Sequence, residues 1–232
     1  THLALLALLT AIYTPALSHA SWIFGLVFLV TLINLIPHIR KVHPIFWVIT
    51  FALILFTLNI NAWWFGIIGD EYSFYDPARL LAEGKTLPFS FSHIFSGLAV
   101  YATHPYMSTI IQAIFMKFLG FHNFGWRFSN LYLSAISIGL LYYFFRTFIP
   151  RRIALLAAFF LMTSHYLMTF GKIGYNNLQA LFALALVLAA TAWVYRSQRL
   201  LAYVCLGFAT GFCFYVYPAA IYVAPLPVFF LL

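Results

Sequence analysis

Eight apolar runs divide this chain, and their lengths leave few folds open to it: Leu3–Leu17, Trp22–Ile39, Phe46–Ile68, Phe128–Phe148, Ile153–Phe170, Leu178–Tyr195, Leu200–Tyr217 and Ile221–Leu232. Each is long enough, or nearly so, to cross a hydrocarbon layer of about 30 Å. A helix satisfies its own backbone in lipid, whereas a barrel would require an alternation that these runs lack. With 65% hydrophobic and 7% charged residues, there is too little polar surface to coat a soluble globule. The sequence therefore predicts an all-α polytopic membrane protein of about seven to eight transmembrane helices, with residues 1–232 as one transmembrane domain. The first and last runs are short and reach the chain ends, which reads as a C-terminally incomplete piece of a longer protein. The first run is too closely followed by a second span to read as a cleaved signal peptide.

Basic residues orient the runs. Arg40 with Lys41, then Arg146 with Arg151 and Arg152, then Arg196 with Arg199 occupy short connections that the positive-inside rule places in the cytoplasm. Residues 69–125 then form a long outer loop, and Lys172 to Asn177 a short outer turn. The net charge of +8 is a topology signal, and no basic patch with its own solvated fold points to nucleic acid. Within the long loop, Tyr106 to Leu119 would reach only about 21 Å as a helix, so it is expected to lie in the interface with Gln112 and Lys117 toward water. His165, inside an apolar run, is expected to be a packed neutral histidine. Cys205 and Cys213 stand about 12 Å apart along one helix, too far for a disulfide. Neither a dinucleotide fingerprint nor a phosphate loop occurs.

All four acidic residues, Asp70, Glu71, Asp76 and Glu83, lie in one fourteen-residue window, and the other 218 residues carry no carboxylate side chain. Asp76 before Pro77, with Gly84 closing the stretch after Glu83, has the pattern of a helix cap, a first-turn proline and a glycine stop. Glu83 reads as a solvated charge at the tail of that helix. Gly69 reads as the end of the preceding membrane helix, where the macrodipole disfavours a carboxylate by about 0.3–1 kcal/mol. Asp70 and Glu71 thus sit where stability alone would not put them, and partial burial there would move a carboxylate toward the range of a general base.

Gly69-Asp70-Glu71-Tyr72 after a membrane helix, Ala78-Arg79-Leu80-Leu81, His104-Pro105, Phe124-Gly125-Trp126-Arg127 and Arg152-Ile153-Ala154-Leu155-Leu156-Ala157 together resemble the membrane glycosyltransferases of the GT-C class. The resemblance is to the protein mannosyltransferase and aminoarabinose transferase group, glycosyltransferase families 39 and 83. It covers about residues 46 to 227, including Tyr215-Val216-Tyr217-Pro218-Ala219-Ala220. It implies a GT-C-like fold in which Asp70, with Glu71 beside it, is catalytic and takes a proton from an acceptor hydroxyl. That hydroxyl attacks the anomeric carbon of a sugar carried on a polyprenyl phosphate. Partners would be the lipid-linked donor, membrane lipids and a protein, lipid or glycan acceptor. The setting implied is a bacterial inner membrane with the site on the extracytoplasmic side.

A leaving phosphate in a poorly solvated site needs fixed cations, and Arg79, His104, Arg127 and Lys172 all fall on the outer side. His104 and Arg127 also match basic positions of the family. Tyr72, Tyr175, Asn176 and Asn177 are the residues expected to meet sugar or acceptor. Relatives commonly place a second acid in the next outer loop, where this chain has Gly174-Tyr175-Asn176-Asn177, and an amide is neither a base nor a charged metal ligand. Asn177 has the alternative reading of a cap for the helix opening at Leu178. No cofactor is required, a divalent cation is not indicated, and metal-independent inverting transfer is the preferred reading. Two other readings stand beside it: a transporter, for which ionisable residues would be expected within the spans, and a non-catalytic glycosyltransferase-like subunit of a larger membrane complex.

Overall fold

A computed structural model of the chain describes residues 2–38, 42–62, 71–85 and 106–231. Every regular element among them is helical: α1 (His2–Tyr13), α2 (Ser21–Leu35), α3 (Pro44–Thr57), α4 (Glu71–Ala82), α5 (Tyr106–Leu119), α6 (Asn123–Phe148), α7 (Arg151–Met162), α8 (His165–Phe170), α9 (Leu178–Ser197), α10 (Leu200–Phe212) and α11 (Leu226–Leu231), with short 3-10 turns between some of them. Among the described residues, four helical stretches are long and apolar enough to cross a membrane: Leu17–His38, Pro44–Ala62, Asn123–Phe148 and Leu178–Ser197. The remaining apolar runs are built from shorter helices. The run from Ile153 to Phe170 is broken at Thr163, where the Ser164 hydroxyl accepts the Leu167 N–H and starts α8. His165, expected to be packed, is exposed there, because the break turns it outward.

The central element is α6, which at 26 residues reaches about 39 Å. Along one face Phe128, Leu131, Ala135, Ile138 and Tyr142 meet Ala52, Leu53 and Phe56 of α3. Along another, Leu141 and Phe144 meet Ala185, Leu188 and Ala192 of α9. Lipid supplies no hydrophobic drive between helices, so small residues that permit close packing carry the association. The alanines of α9 do this toward α6 and toward Ala202, Leu206 and Ala209 of α10. Gly139 does it toward α3: a Cβ there would lie 2.4 Å from Ile49 Cγ1. The turn from α9 to α10 is closed by Gln198 in the left-handed region, at φ 48°.

The two ends of α6 differ. At its start, the amphipathic α4 and α5 cover it. At its finish, Phe148 packs on Tyr195 of α9, so the turns carrying Arg146, Arg151, Arg152 and those carrying Arg196, Arg199 lie at one end of the bundle. Arg40 and Lys41 lie outside the described residues.

Candidate active site

The acidic window folds as α4, which begins at Glu71 rather than at Asp76. Its buried face is Glu71, Phe74, Ala78 and Ala82, a helical stripe that packs on Ala113 and Met116 of α5 and Trp126 of α6. Asp76 is therefore a mid-helix residue and not the cap expected from its place before Pro77. The helix runs through that proline, leaving the Ser73 carbonyl without its usual i+4 donor. Gly84 does end the element: at φ +72° it lets the Lys85 N–H return to the Leu80 carbonyl at 2.9 Å. For Glu71 the dipole argument changes sign, while Gly69 lies outside the described residues. The α3 helix closes at Thr57, well before Gly69, and Glu71 opens a new helix, where the positive end of the dipole favours a carboxylate. Asp70 and His104 lie outside the described residues.

Glu71 is completely buried. Its Oε1 accepts from Trp126 Nε1 at 3.1 Å, Arg127 Nε at 3.1 Å and the Gly174 N–H at 3.0 Å, while Oε2 accepts from Arg127 Nη2 at 3.4 Å. Arg127 is likewise fully buried, so the pair is a desolvated two-point ion pair. Removing one member of such a pair costs about 3–5 kcal/mol, because the other is left charged without compensation. With Oε1 facing three fixed donors, Glu71 is anchored rather than free to reach for a proton, and Arg127 is committed to it.

Four hydrogen bonds from three side chains then fasten the loop 171–177. Gln112 Nε2 donates to the Gly174 carbonyl at 2.8 Å, and Asn130 Nδ2 donates to the Ile173 carbonyl at 2.9 Å and to the Tyr175 carbonyl. Lys172, only 7% exposed, donates from Nζ to the Leu58 carbonyl at 2.7 Å, placing a cation on the C-terminal end of α3. Burial pushes the Lys172 ammonium below the usual lysine value. A side chain at position 174 would have no room: its Cβ would lie 1.8 Å from Trp126 Nε1. Gln112 thus faces inward, contrary to the expectation that it meets water, because the loop's backbone offers it partners; Lys117 does face outward.

Asn176 is fully buried, and both its Nδ2 and Oδ1 lack a partner among the described residues, as do Gln112 Oε1, Asn130 Oδ1 and Ser134 Oγ. A buried amide left unpaired costs about 1–3 kcal/mol, so Asn176 offers its full hydrogen-bonding capacity to a polar ligand. Asn177 occupies the residue before α9 without capping it. Its side chain makes no cap hydrogen bond and its Nδ2 sits 3.5 Å from Tyr166 Oη. Tyr175 packs edge-on against Phe74 at 4.7 Å and near Tyr217 at 6.1 Å. Tyr72 lies on the open face of α4.

Arg79 is on that open face too. It pairs with Glu83 at 2.7 Å, and Lys85 takes the other Glu83 oxygen at 2.7 Å. Hydrogen bonds from Lys85 and then Arg79 hold the Glu83 carboxyl below its ordinary value. The structure therefore brings Glu71, Arg127, Lys172, Tyr175 and Asn176 to one end of the bundle and leaves Tyr72 and Arg79 on its surface. Sequence reasoning assigned no role to Gln112, Asn130, Trp126 or Gly174. The first two carried a signal, since each is an amide in an otherwise apolar helix. Trp126 and Gly174 stood in the motifs already singled out, but their hydrogen bonds to Glu71 depend on how distant segments pack.

Among the described residues no group of three or more His, Cys, Asp or Glu could hold a metal ion. No curated protein and no solved structure matches the chain. The model of the dolichyl-phosphate-mannose-protein mannosyltransferase family matches residues 103–232, which include α5, Arg127 and the loop 171–177 and begin after the acidic window. That match spans more than half of the chain, and with the apolar helical bundle it shows that the protein belongs to this family of GT-C type membrane glycosyltransferases, which use lipid-linked sugar donors.

Proposed function

We propose that the protein transfers a sugar, with inversion, from a polyprenyl phosphate to an acceptor hydroxyl at the outer face of a bacterial inner membrane, with Asp70 as general base. Asp70 takes the hydroxyl proton as the acceptor oxygen bonds to the anomeric carbon. The bond from that carbon to the phosphate oxygen breaks, and the phosphate departs with the electron pair on its lipid. The observation that carries this reading is the buried Glu71, whose carboxylate is held by Trp126, Arg127 and Gly174 within residues that match the family. Asp70 is its covalent neighbour, so fixing Glu71 limits where the base can go. In this reading Glu71 is the anchor of the acidic motif and Arg127 its counter-ion.

Arg79 and His104 are the cations assigned to the leaving phosphate. The exposed Arg79 guanidinium, which now faces Glu83, can exchange that carboxylate for a phosphate dianion. Tyr72, Tyr175, Asn176 and Asn177 are assigned to the sugar and acceptor, with the unpaired Asn176 amide suited to a hydroxyl pair. The acceptor is a protein, lipid or glycan hydroxyl. Five arginines in the two turns at the far end of α6 support the orientation, because the positive-inside rule then puts the acidic end outside.

The decisive experiment is Asp70→Asn in the full chain, assayed in proteoliposomes for release of polyprenyl phosphate from polyprenyl-phosphate sugars. Loss of a general base lowers turnover by about 10²–10⁴-fold, with insertion and melting unchanged. Full transfer by the folded Asn variant would overturn the reading.

A further inference from the structure

We infer that the loop 171–177 is a strap joining the end of α3 to the start of α4, and that Lys172 and Gly174 are positioning residues for the transfer. This rests on the proposed function for what is positioned, though not for the strap itself. Upstream, Lys172 Nζ holds the carbonyl of Leu58, the residue that closes α3. Downstream, the Gly174 N–H holds Glu71, the residue that opens α4. Two positions of one loop therefore tie together residues that stand thirteen apart in the chain, and a third tie, from Asn123 Nδ2 to the Ile60 carbonyl at 3.2 Å, supports the upstream side.

The strap is itself fixed. Gln112 and Asn130 hold three of its carbonyls, and Trp126, fully buried, lies where any side chain at position 174 would go. A methyl group at position 174 therefore has to part the loop from Trp126, and Glu71 loses its bond from the Gly174 N–H in the same movement. Lys172 Nζ donates to the Leu58 carbonyl, and against that clasp stands a second role for the ammonium, a ligand for phosphate. Its contact with a carbonyl and its low exposure favour the clasp.

The test uses the full chain in nanodiscs with Lys172→Met, Lys172→Arg and Gly174→Ala. Hydrogen exchange of the amides in 59–62 and 71–75 is expected to speed up at least tenfold in Lys172→Met and Gly174→Ala, with exchange in α9 and α10 unchanged. Lys172→Arg, which can still donate to Leu58, is expected to restore most of the protection. With polyprenyl-phosphate mannose as donor, Lys172→Met is expected to lower kcat at least tenfold and leave KM within about twofold. Its affinity for polyprenyl phosphate is expected to stay within about twofold as well. Unchanged exchange across 59–62 and 71–75 would overturn the strap, and a tenfold loss of polyprenyl phosphate affinity would make Lys172 a phosphate ligand instead. Faster exchange together with full transfer by Asp70→Asn would leave the strap standing and remove the reading of what it positions.

Discussion

The two ends of α6 carry charge in opposite ways. At its start Arg127 is sealed from solvent and its guanidinium meets one carboxylate at two points. At its finish Arg146, with Arg151 and Arg152 just beyond, is exposed, and no acidic residue shares that end among the described residues. Arg196 there rests over the Tyr143 ring at 5.9 Å, a contact that leaves its charge open to headgroups and water. The same residue type is thus structural at one end, where it compensates a buried acid, and topological at the other. What distinguishes them is desolvation: a buried charge must have a fixed partner, whereas an exposed one needs none.

This contrast can be broken most sharply with Arg127→Met, which strands Glu71 in the interior. Unfolding in detergent or nanodiscs should show a loss of about 3–5 kcal/mol. The double variant with Glu71→Gln should lose less than the two single changes summed, because the pair acts as a unit. Midway along the helix, Gly139→Val should cost about 1–3 kcal/mol by driving α3 away through Ile49, seen as a lower melting temperature with the acidic end still assembled. A smaller effect is expected at the first turn, where His122 Nδ1 accepts the Gly125 N–H at 3.3 Å. His122→Ala should cost about 1 kcal/mol as a lost cap.

That cap requires the neutral ring, and burial lowers the His122 pKa below its usual value. The unfolded chain therefore binds the proton more readily than the folded one. The contribution is present in full above the unfolded value of about 6.5 and is lost as the pH falls through the lowered folded value. A melting series from pH 7.5 to 5 should show this loss in the wild type and not in His122→Ala. Smallest of all, Arg152→Gln at the far end should change stability by no more than about 0.5 kcal/mol. Equal losses for Arg127→Met and Arg152→Gln would abolish the contrast.

Much of this architecture was legible in the residues. The apolar runs mark the helices, the arginine turns mark one end, and the family resemblance drew attention to Glu71 and Arg127 before either was seen to touch the other. The start of α4 was not legible. Asp76-Pro77 is a good local start signal, but the contacts of Glu71 and Phe74 with α6 draw the helix back by several residues, and tertiary contact outweighs a cap worth about 1 kcal/mol. Gln112 was misplaced for a related reason. A glutamine on an interfacial helix reads as wetted, yet the Gly174 carbonyl, 62 residues away, meets it inside. Spacing along one helix shows which side chains share a face, whereas the backbone of a distant loop leaves no trace in it.

Every hydrogen bond described for Glu71 comes from chain synthesised after it. Gly174 follows by 103 residues, and at synthesis rates of about 5–20 residues/s that is a wait of about 5–20 s. Through that interval the carboxylate lacks its Gly174 donor, and before α6 is made it lacks Trp126 and Arg127, so α4 completes its packing only as α6 and then the strap arrive. Maturation of the acidic end is thereby coupled to how far the nascent polypeptide has been threaded.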